Sequence, residues 1–177
     1  MAIRILRETG ASRSAGYIVN VAAGVADSIL PGIAVTLMTT DANAQTIGLL
    51  SSIATPYTGE ILGLTLDSNI IFPFQSSQPN NTMGQGFDYT NYNRQGLIGV
   101  FNNHGEVELY DDNRLAGGLS SPIIYGDAFA LNIPVYADCY NGTGKITITA
   151  TNNKRVGRCT GVFGTGAAKY IRIIVEI

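Results

Sequence analysis

At 177 residues the chain is long enough for one domain whose hydrophobic core needs no disulfide or metal to stabilise it. A formal net charge of −2 argues against a nucleic-acid-binding protein, which needs a basic surface to neutralise phosphates. Two cysteines and one histidine are too few for a structural zinc site. Only 14% of the residues are charged, so uncharged polar residues must cover much of the surface, which suits a subunit that packs against others.

The N-terminal segment, residues 1–14, carries Arg4, Arg7 and Arg13 among small polar residues. It is predicted to be an extended arm that reaches a neighbouring subunit, or alternatively a first strand. Its charges interrupt any apolar run that could serve as a signal peptide, and polar residues break the apolar stretch 15–38. We therefore expect synthesis in the cytoplasm and no membrane partner.

Residues 15–177 are predicted to form a single β domain. Short β-branched runs separated by turn signals predict strands over 16–21, 33–38, 46–53 and 61–66. Strands of this length and spacing are typical of an antiparallel all-β barrel or sandwich, with a jelly roll among the candidate topologies.

The middle of the chain, residues 73–95, is rich in Asn and Gln and is predicted to be a long loop insertion in the β domain. It contains the aromatic residues Phe74, Phe87, Tyr89 and Tyr92, which we expect to be buried at an interface with another subunit.

A hairpin is predicted next, with strands at 99–101 and 106–110 and a turn at 102–105 that exposes His104. Glu106 and Glu108 share one strand face, and paired carboxylates could act on a glycosidic bond. Alternating glutamates on a strand are more typical of its solvent-exposed face, and that is the interpretation we favour. No motif indicates catalysis, so we predict a protein that is not an enzyme and has no catalytic residue, cofactor or metal.

The last part of the chain, residues 134–177, is predicted to be a four-stranded antiparallel meander. Its strands are expected near 136–139, 145–151, 155–163 and 171–177, with turns at 140–144, 152–153 and 164–166. Alternation places Ile171, Ile173, Val175 and Ile177 on one face of the final strand. Cys139 and Cys159 fall in neighbouring strands; a disulfide is conceivable, but two buried free thiols are the favoured interpretation.

The order of short motifs in this last part resembles the head decoration, or structural cement, proteins of tailed bacteriophages. Gly126-Asp127 precedes Pro134-Val135-Tyr136, then Thr143-Gly144, then Val156-Gly157 and a hydrophobic last strand. The resemblance implies a non-enzymatic virion protein, often a homotrimer, on the outside of an icosahedral head. There it would bridge subunits of the major capsid protein and stabilise the shell.

The predicted capsid and subunit contacts lie outside the regular strands: Arg4, Arg7, Arg13, Phe74, Phe87, Tyr89 and Tyr92. The alternative function is a carbohydrate-binding or adhesive β-sandwich module of a virion fibre, with Tyr89, Tyr92, Tyr110 and Tyr125 stacking on sugar rings. The absence of tryptophan disfavours that alternative, because Trp is the usual platform for such stacking.

Overall fold

The fold is all-β. The computed structural model describes residues 3–8, 15–19, 31–37, 46–48, 50, 58–66, 97–102, 104–110, 121–124, 126–164 and 169–177. All regular secondary structure in these ranges is β-strand, which confirms the predicted fold class. Within the same ranges, no helix has the length and apolar character needed to cross a membrane.

Eleven strands are present in the described residues. In chain order they are β1 (Ile3–Glu8), β2 (Ala15–Val19), β3 (Ala34–Leu37), β4 (Thr46–Gly48), β5 (Gly63–Thr65), β6 (Leu97–Phe101), β7 (Gly105–Tyr110), β8 (Pro134–Ala137), β9 (Ile146–Thr147), β10 (Lys154–Phe163) and β11 (Tyr170–Val175).

Six of these strands form an open sheet in the order β1-β7-β11-β10-β8-β9. Every neighbouring pair in this sheet is antiparallel. The N-terminal and C-terminal parts of the chain therefore meet in one sheet, since β7 lies between β1 and β11. Residues 3–8 form β1. This part of the N-terminal segment is therefore the first strand that we gave as the alternative to an extended arm.

The other five strands form a small closed barrel in the order β2-β4-β3-β5-β6. Four of its five pairs are antiparallel, and β2 and β4 are parallel. Barrel and sheet share one core, in which Leu64 and Phe101 of the barrel pack with Val107, Leu109 and the final strand. The predicted face of the final strand is confirmed for Ile171, Ile173 and Val175, which are all fully buried. Ile177, predicted on the same face, follows the end of β11 and is only partly buried against the same core.

The predicted hairpin around 102–105 is wrong. β6 pairs with β2 and β5 in the barrel, whereas β7 pairs with β1 and β11 in the open sheet. The chain crosses between the two sheets at this point because Phe101 and Val107 both contribute to the core that the sheets share. A local turn signal therefore does not produce strand pairing here.

The predicted meander is also wrong in its order of strands. β10 pairs with β8, and β9 lies on the far side of β8 as the sheet edge. The side chain of Asn153 explains this order, because its Oδ1 accepts bonds from the backbone N–H groups of Cys139 (2.8 Å) and Tyr140 (3.0 Å). The start of β10 is thereby held beside the end of β8.

The strand predicted over 145–151 is reduced to the two residues of β9. The carboxylate of Asp127 is the cause: its Oδ2 accepts bonds from the Thr147 hydroxyl (2.7 Å) and from the Ile148 backbone N–H (3.0 Å). Since that N–H no longer serves a neighbouring strand, the ladder stops. Ala150, which a regular strand over 145–151 would place on the same face as the buried Ile146, is exposed.

Candidate functional site

The open sheet has a second face, opposite the core, which we call the outer face. Because Val107 and Leu109 lie in the core, alternation places Glu106, Glu108 and Tyr110 of β7 on the outer face. Register with the flanking strands puts Arg4 of β1 and Arg172 of β11 directly opposite Glu108. Charged residues from three adjacent strands therefore meet on this face.

Glu108 is the centre of this group and is only 4% exposed. Its Oε1 accepts a hydrogen bond from Arg172 Nη2 at 2.8 Å, and its Oε2 accepts one from the Tyr110 hydroxyl at 2.7 Å. Arg4 Nη1 lies 3.9 Å from Oε2. The interpretation of Glu106 and Glu108 as a solvent-exposed pair is wrong for Glu108, because its neighbours both cover the carboxylate and satisfy its oxygens.

These contacts change the protonation equilibria of the cluster. The hydrogen bond from Arg172 lowers the pKa of Glu108, and it outweighs the opposing effect of burial. The bond to the Glu108 carboxylate, together with burial, raises the pKa of Tyr110. Glu108 is therefore held as a carboxylate and Tyr110 as a phenol. A carboxylate at Glu108 suits a structural ion pair with Arg172, but it has no proton to donate and so cannot serve as a general acid.

An aromatic stack crosses the outer face beside this cluster. The rings of Tyr110 and Tyr170 lie 5.1 Å apart, and those of Tyr170 and Phe163 lie 4.8 Å apart. The Arg172 guanidinium lies 5.1 Å from the centre of the Phe163 ring. Phe163 also covers Gly161, where a Cβ would overlap the ring. Three strands are thus joined by stacked rings on the side of the sheet away from the core.

One edge of the open sheet is formed by β1, and we call it the β1 edge. Among the residues that the structure describes, β1 pairs only with β7. A bulge between Ile5 and Arg7 adds one residue to β1, so that Arg4 lies opposite Glu108 and Arg7 lies opposite Glu106. Without the bulge, arginines three positions apart would point to opposite faces. Both side chains are exposed.

Of the residues predicted to contact the capsid or other subunits, the structure places Arg4 and Arg7 together at the β1 edge. Arg13, Phe74, Phe87, Tyr89 and Tyr92 lie outside the described residues, as does the whole of the predicted insertion 73–95. Tyr110, which the alternative function assigns to stacking on sugar rings, is the last residue of β7. Its ring packs on Tyr170 and its hydroxyl donates a hydrogen bond to Glu108.

The other titratable residues of the described chain include the two cysteines. Cys139 and Cys159 are buried free thiols, as favoured from the sequence, and burial raises the pKa of each. No group of three or more His, Cys, Asp or Glu side chains within the described ranges is arranged to hold a metal ion. His104 is exposed at the crossing between the two sheets.

A cleft of about 290 Å³ lies at the other end of the open sheet, around β9 and the turn after β8. Eight of its nine lining residues have polar side chains; the lining consists of Ile124, Asp127, Asp138, Tyr140, Asn141, Thr147, Thr149, Thr151 and Asn153. Asp138 and Thr147 are buried, whereas Tyr140 is 49% exposed. We call this feature the Tyr140 cleft.

Sequence reasoning missed this cleft. The run Tyr140-Asn141-Gly142-Thr143-Gly144 predicts only a turn by its glycines, although it combines an aromatic ring with amide and hydroxyl groups. Thr149, Thr151 and Asn153 come to the same place because the 145–151 strand is cut short at Asp127.

The chain was compared with protein-family models, with curated proteins and with solved structures, and none of the three comparisons found a match.

Proposed function

We propose that this chain is a non-enzymatic decoration, or cement, protein of a tailed-bacteriophage head. It binds the outer surface of the icosahedral shell and bridges neighbouring subunits of the major capsid protein, and it works as a homotrimer on the virion exterior after synthesis in the host cytoplasm. The proposal rests on the motif order that resembles such proteins and on one structural observation, the β1 edge.

The β1 edge supports the proposal because it offers two kinds of contact at once. A free strand edge carries backbone N–H and C=O groups that accept a further strand from another chain. The exposed guanidinium groups of Arg4 and Arg7 point to the same face beside this edge. Arginine forms planar, bidentate bonds with carboxylates, so the edge suits an extended capsid segment that contains acidic residues.

The aromatic stack adds a second support, since Tyr and Arg are the residue types that contribute most to protein–protein binding energy. Tyr110, Tyr170 and Phe163 are partly buried; the stack begins at Tyr110 on β7, the strand beside β1, and runs away from the β1 edge across β11 and β10. Their positions are fixed by mutual stacking and by the Glu108 cluster, so little side-chain entropy remains to be lost on binding.

Stabilisation of the shell follows by linkage. A protein that binds the assembled shell but not free capsid subunits shifts the equilibrium toward assembly. Bridging two capsid subunits converts the second contact into an intramolecular one, so modest individual contacts give strong retention.

The direct test is co-sedimentation of the purified protein with heads that lack it. We expect the Arg4→Gln/Arg7→Gln double variant to bind heads about tenfold more weakly than the unchanged protein, by loss of two charged contacts. Arg158→Gln is the matched control, because Arg158 is exposed on β10 and lies away from the edge. Equal binding of the double variant would remove the β1 edge from the proposal.

Protein composition of purified particles tests the function as a whole. A copy number close to that of the major shell protein is expected, and absence of the chain from particles would overturn the proposal.

Light scattering of the isolated protein tests the homotrimer, for which the expected mass is three times the 18.7 kDa of one chain.

A further inference from the structure

We propose that the Tyr140 cleft is a binding site for a neutral saccharide, sized for a single sugar unit. This site is independent of the β1 edge and goes beyond shell binding. It lies at the β9 side of the open sheet, whereas β1 forms the opposite edge.

The lining of the cleft is held by hydrogen bonds within the chain before any ligand binds. Both oxygens of Asp138 accept hydrogen bonds, from the Asn141 side chain (3.1 and 3.2 Å) and from the Thr143 hydroxyl (2.6 Å). Asn153 bonds the backbone on both sides of the cleft, through its Oδ1 to Cys139 and Tyr140 and through its Nδ2 to the Thr149 carbonyl (3.0 Å). A preformed cavity avoids the ordering cost that weakens binding to flexible loops.

Several polar groups nevertheless remain available at the rim. The Thr149 and Thr151 side chains are exposed, and their hydroxyls have no partner among the described residues. The Oδ1 atom of Asp127 also has no hydrogen-bond partner among the described residues, because both hydrogen bonds of that carboxylate are made by Oδ2. Hydroxyls both donate and accept, and a carboxylate only accepts. Together these groups match the hydroxyl groups of a sugar, which also donate and accept hydrogen bonds.

Tyr140 supplies the apolar part of the site. It is 49% exposed and lines the cleft together with the buried residues Asp138 and Thr147. An exposed aromatic ring next to hydrogen-bonding groups offers an apolar face for the C–H side of a pyranose ring. The volume of about 290 Å³ is at the lower limit of ligand pockets, roughly 300 Å³, which favours one sugar unit over a long oligosaccharide.

The charges of the cleft select a neutral ligand. Its lining contains two carboxylates and no Lys, Arg or His, which favours a neutral ligand over phosphates and acidic sugars. The nearby Lys169 ammonium is not part of the lining and donates to the Asp127 carbonyl at 2.9 Å. A calcium ion is poorly matched, because it needs roughly six to eight oxygen ligands and three of the four carboxylate oxygens already accept hydrogen bonds.

The test is titration of the isotope-labelled full chain, followed by amide NMR spectra, with methyl glucoside, methyl galactoside, methyl mannoside and N-acetylglucosamine as probes. We expect at least one of them to shift the amides of 140–144 and 149–153 in a saturable manner. N-Acetylneuraminic acid, which is anionic, should leave these amides unchanged. Tyr140→Ala should weaken binding about tenfold or more, by loss of the stacking face.

Leu131→Ala is the matched control, because Leu131 is also a large exposed residue, at 69%, and does not line the cleft. Its affinity should equal that of the unchanged protein, and the spectra themselves show that both variants are folded. The proposal is overturned if none of the neutral sugars shifts the cleft amides, if Tyr140→Ala binds as well as Leu131→Ala, or if calcium chloride alone gives the saturable shifts. None of these outcomes bears on shell binding, which is read from co-sedimentation.

Discussion

Arg172 on the last strand donates a 2.8 Å hydrogen bond to Glu108 on the neighbouring strand, and this carboxylate is 4% exposed although it lies on the face of the sheet away from the core. The pair joins the C-terminal strand to the middle of the chain, and Arg4 approaches the same carboxylate from the N-terminal strand. Three distant parts of the sequence are thus held together by one side chain.

We predict that Glu108→Gln lowers the free energy of unfolding by about 2 kcal/mol near neutral pH, because a buried charge-assisted pair is broken. The pKa of Glu108 is lowered in the folded state, so its contribution is complete above the ordinary value of 4.5 and is lost as the pH falls through the folded value. Urea denaturation from neutral to acidic pH should therefore show a smaller loss of stability on acidification in the variant than in the unchanged protein.

Glu106→Gln is the control for this prediction. Glu106 shares the outer face but is partly exposed, and it accepts a 3.0 Å bond from the Thr160 hydroxyl. A neutral amide oxygen can still accept that bond, so we expect a change within about 0.5 kcal/mol. If the two variants lose the same free energy of unfolding and show the same pH dependence of stability, the conclusion that Glu108 stabilises the fold more than Glu106 is wrong.

A second prediction concerns two glycines with positive φ. Gly144 (φ +66°) accepts a 2.8 Å bond from the Ala34 N–H of the barrel, and a Cβ there would overlap the Ala34 carbonyl. Gly126 (φ +89°) has open space around it. Gly126→Ala should cost about 1 to 2 kcal/mol of backbone strain. Gly144→Ala should cost more than about 3 kcal/mol, because it also separates the barrel from the sheet.

Equilibrium denaturation of the two glycine variants measures this difference. Equal losses would mean that contact between Gly144 and Ala34 contributes nothing beyond backbone conformation.

The third prediction is that Asn153 determines the order of strands in the last part of the chain. Asn153→Ala removes three hydrogen bonds to backbone groups and should lower the free energy of unfolding by about 2 to 4 kcal/mol. Thr151→Ala, at an exposed position in the same turn, should change it by less than about 0.5 kcal/mol. Amide hydrogen exchange should also become faster at Cys139 and Tyr140 in the Asn153 variant alone, and unchanged exchange there would contradict the assignment.

The fourth prediction concerns the two thiols. Burial raises the pKa of Cys139 and of Cys159, and the Cys159 Sγ also donates to the Gly161 carbonyl at 3.4 Å. Because the thiolate is the reactive form, both should resist iodoacetamide at mildly alkaline pH in the native protein and react once it is unfolded. Mass spectrometry of the intact chain counts the modified thiols, and rapid native labelling of either one would contradict their burial.

Local patterns in the sequence were sufficient for the fold class and for several individual strands. Alternation predicted the buried face of the final strand, Ile171, Ile173 and Val175, because that strand is flanked by partners on both sides and one face meets the core. Turn signals placed β3, β5 and β8 close to where they lie. Cys139 and Cys159 are free and buried, which is the interpretation favoured from the sequence over a disulfide.

Strand pairing and the chemistry of the outer face were decided only by tertiary structure. Asn102-Asn103-His104-Gly105 looks like a hairpin turn, yet Phe101 and Val107 enter the shared core from two different sheets. Asp127 ends β9 and Asn153 directs β10 to β8 through bonds that span 21 and 14 positions, which no local pattern reveals. By alternation Glu108 is expected to face solvent. It is buried because Arg172, 64 residues further along the chain, reaches it from the neighbouring strand. The pairing of these two strands exists only in the folded chain.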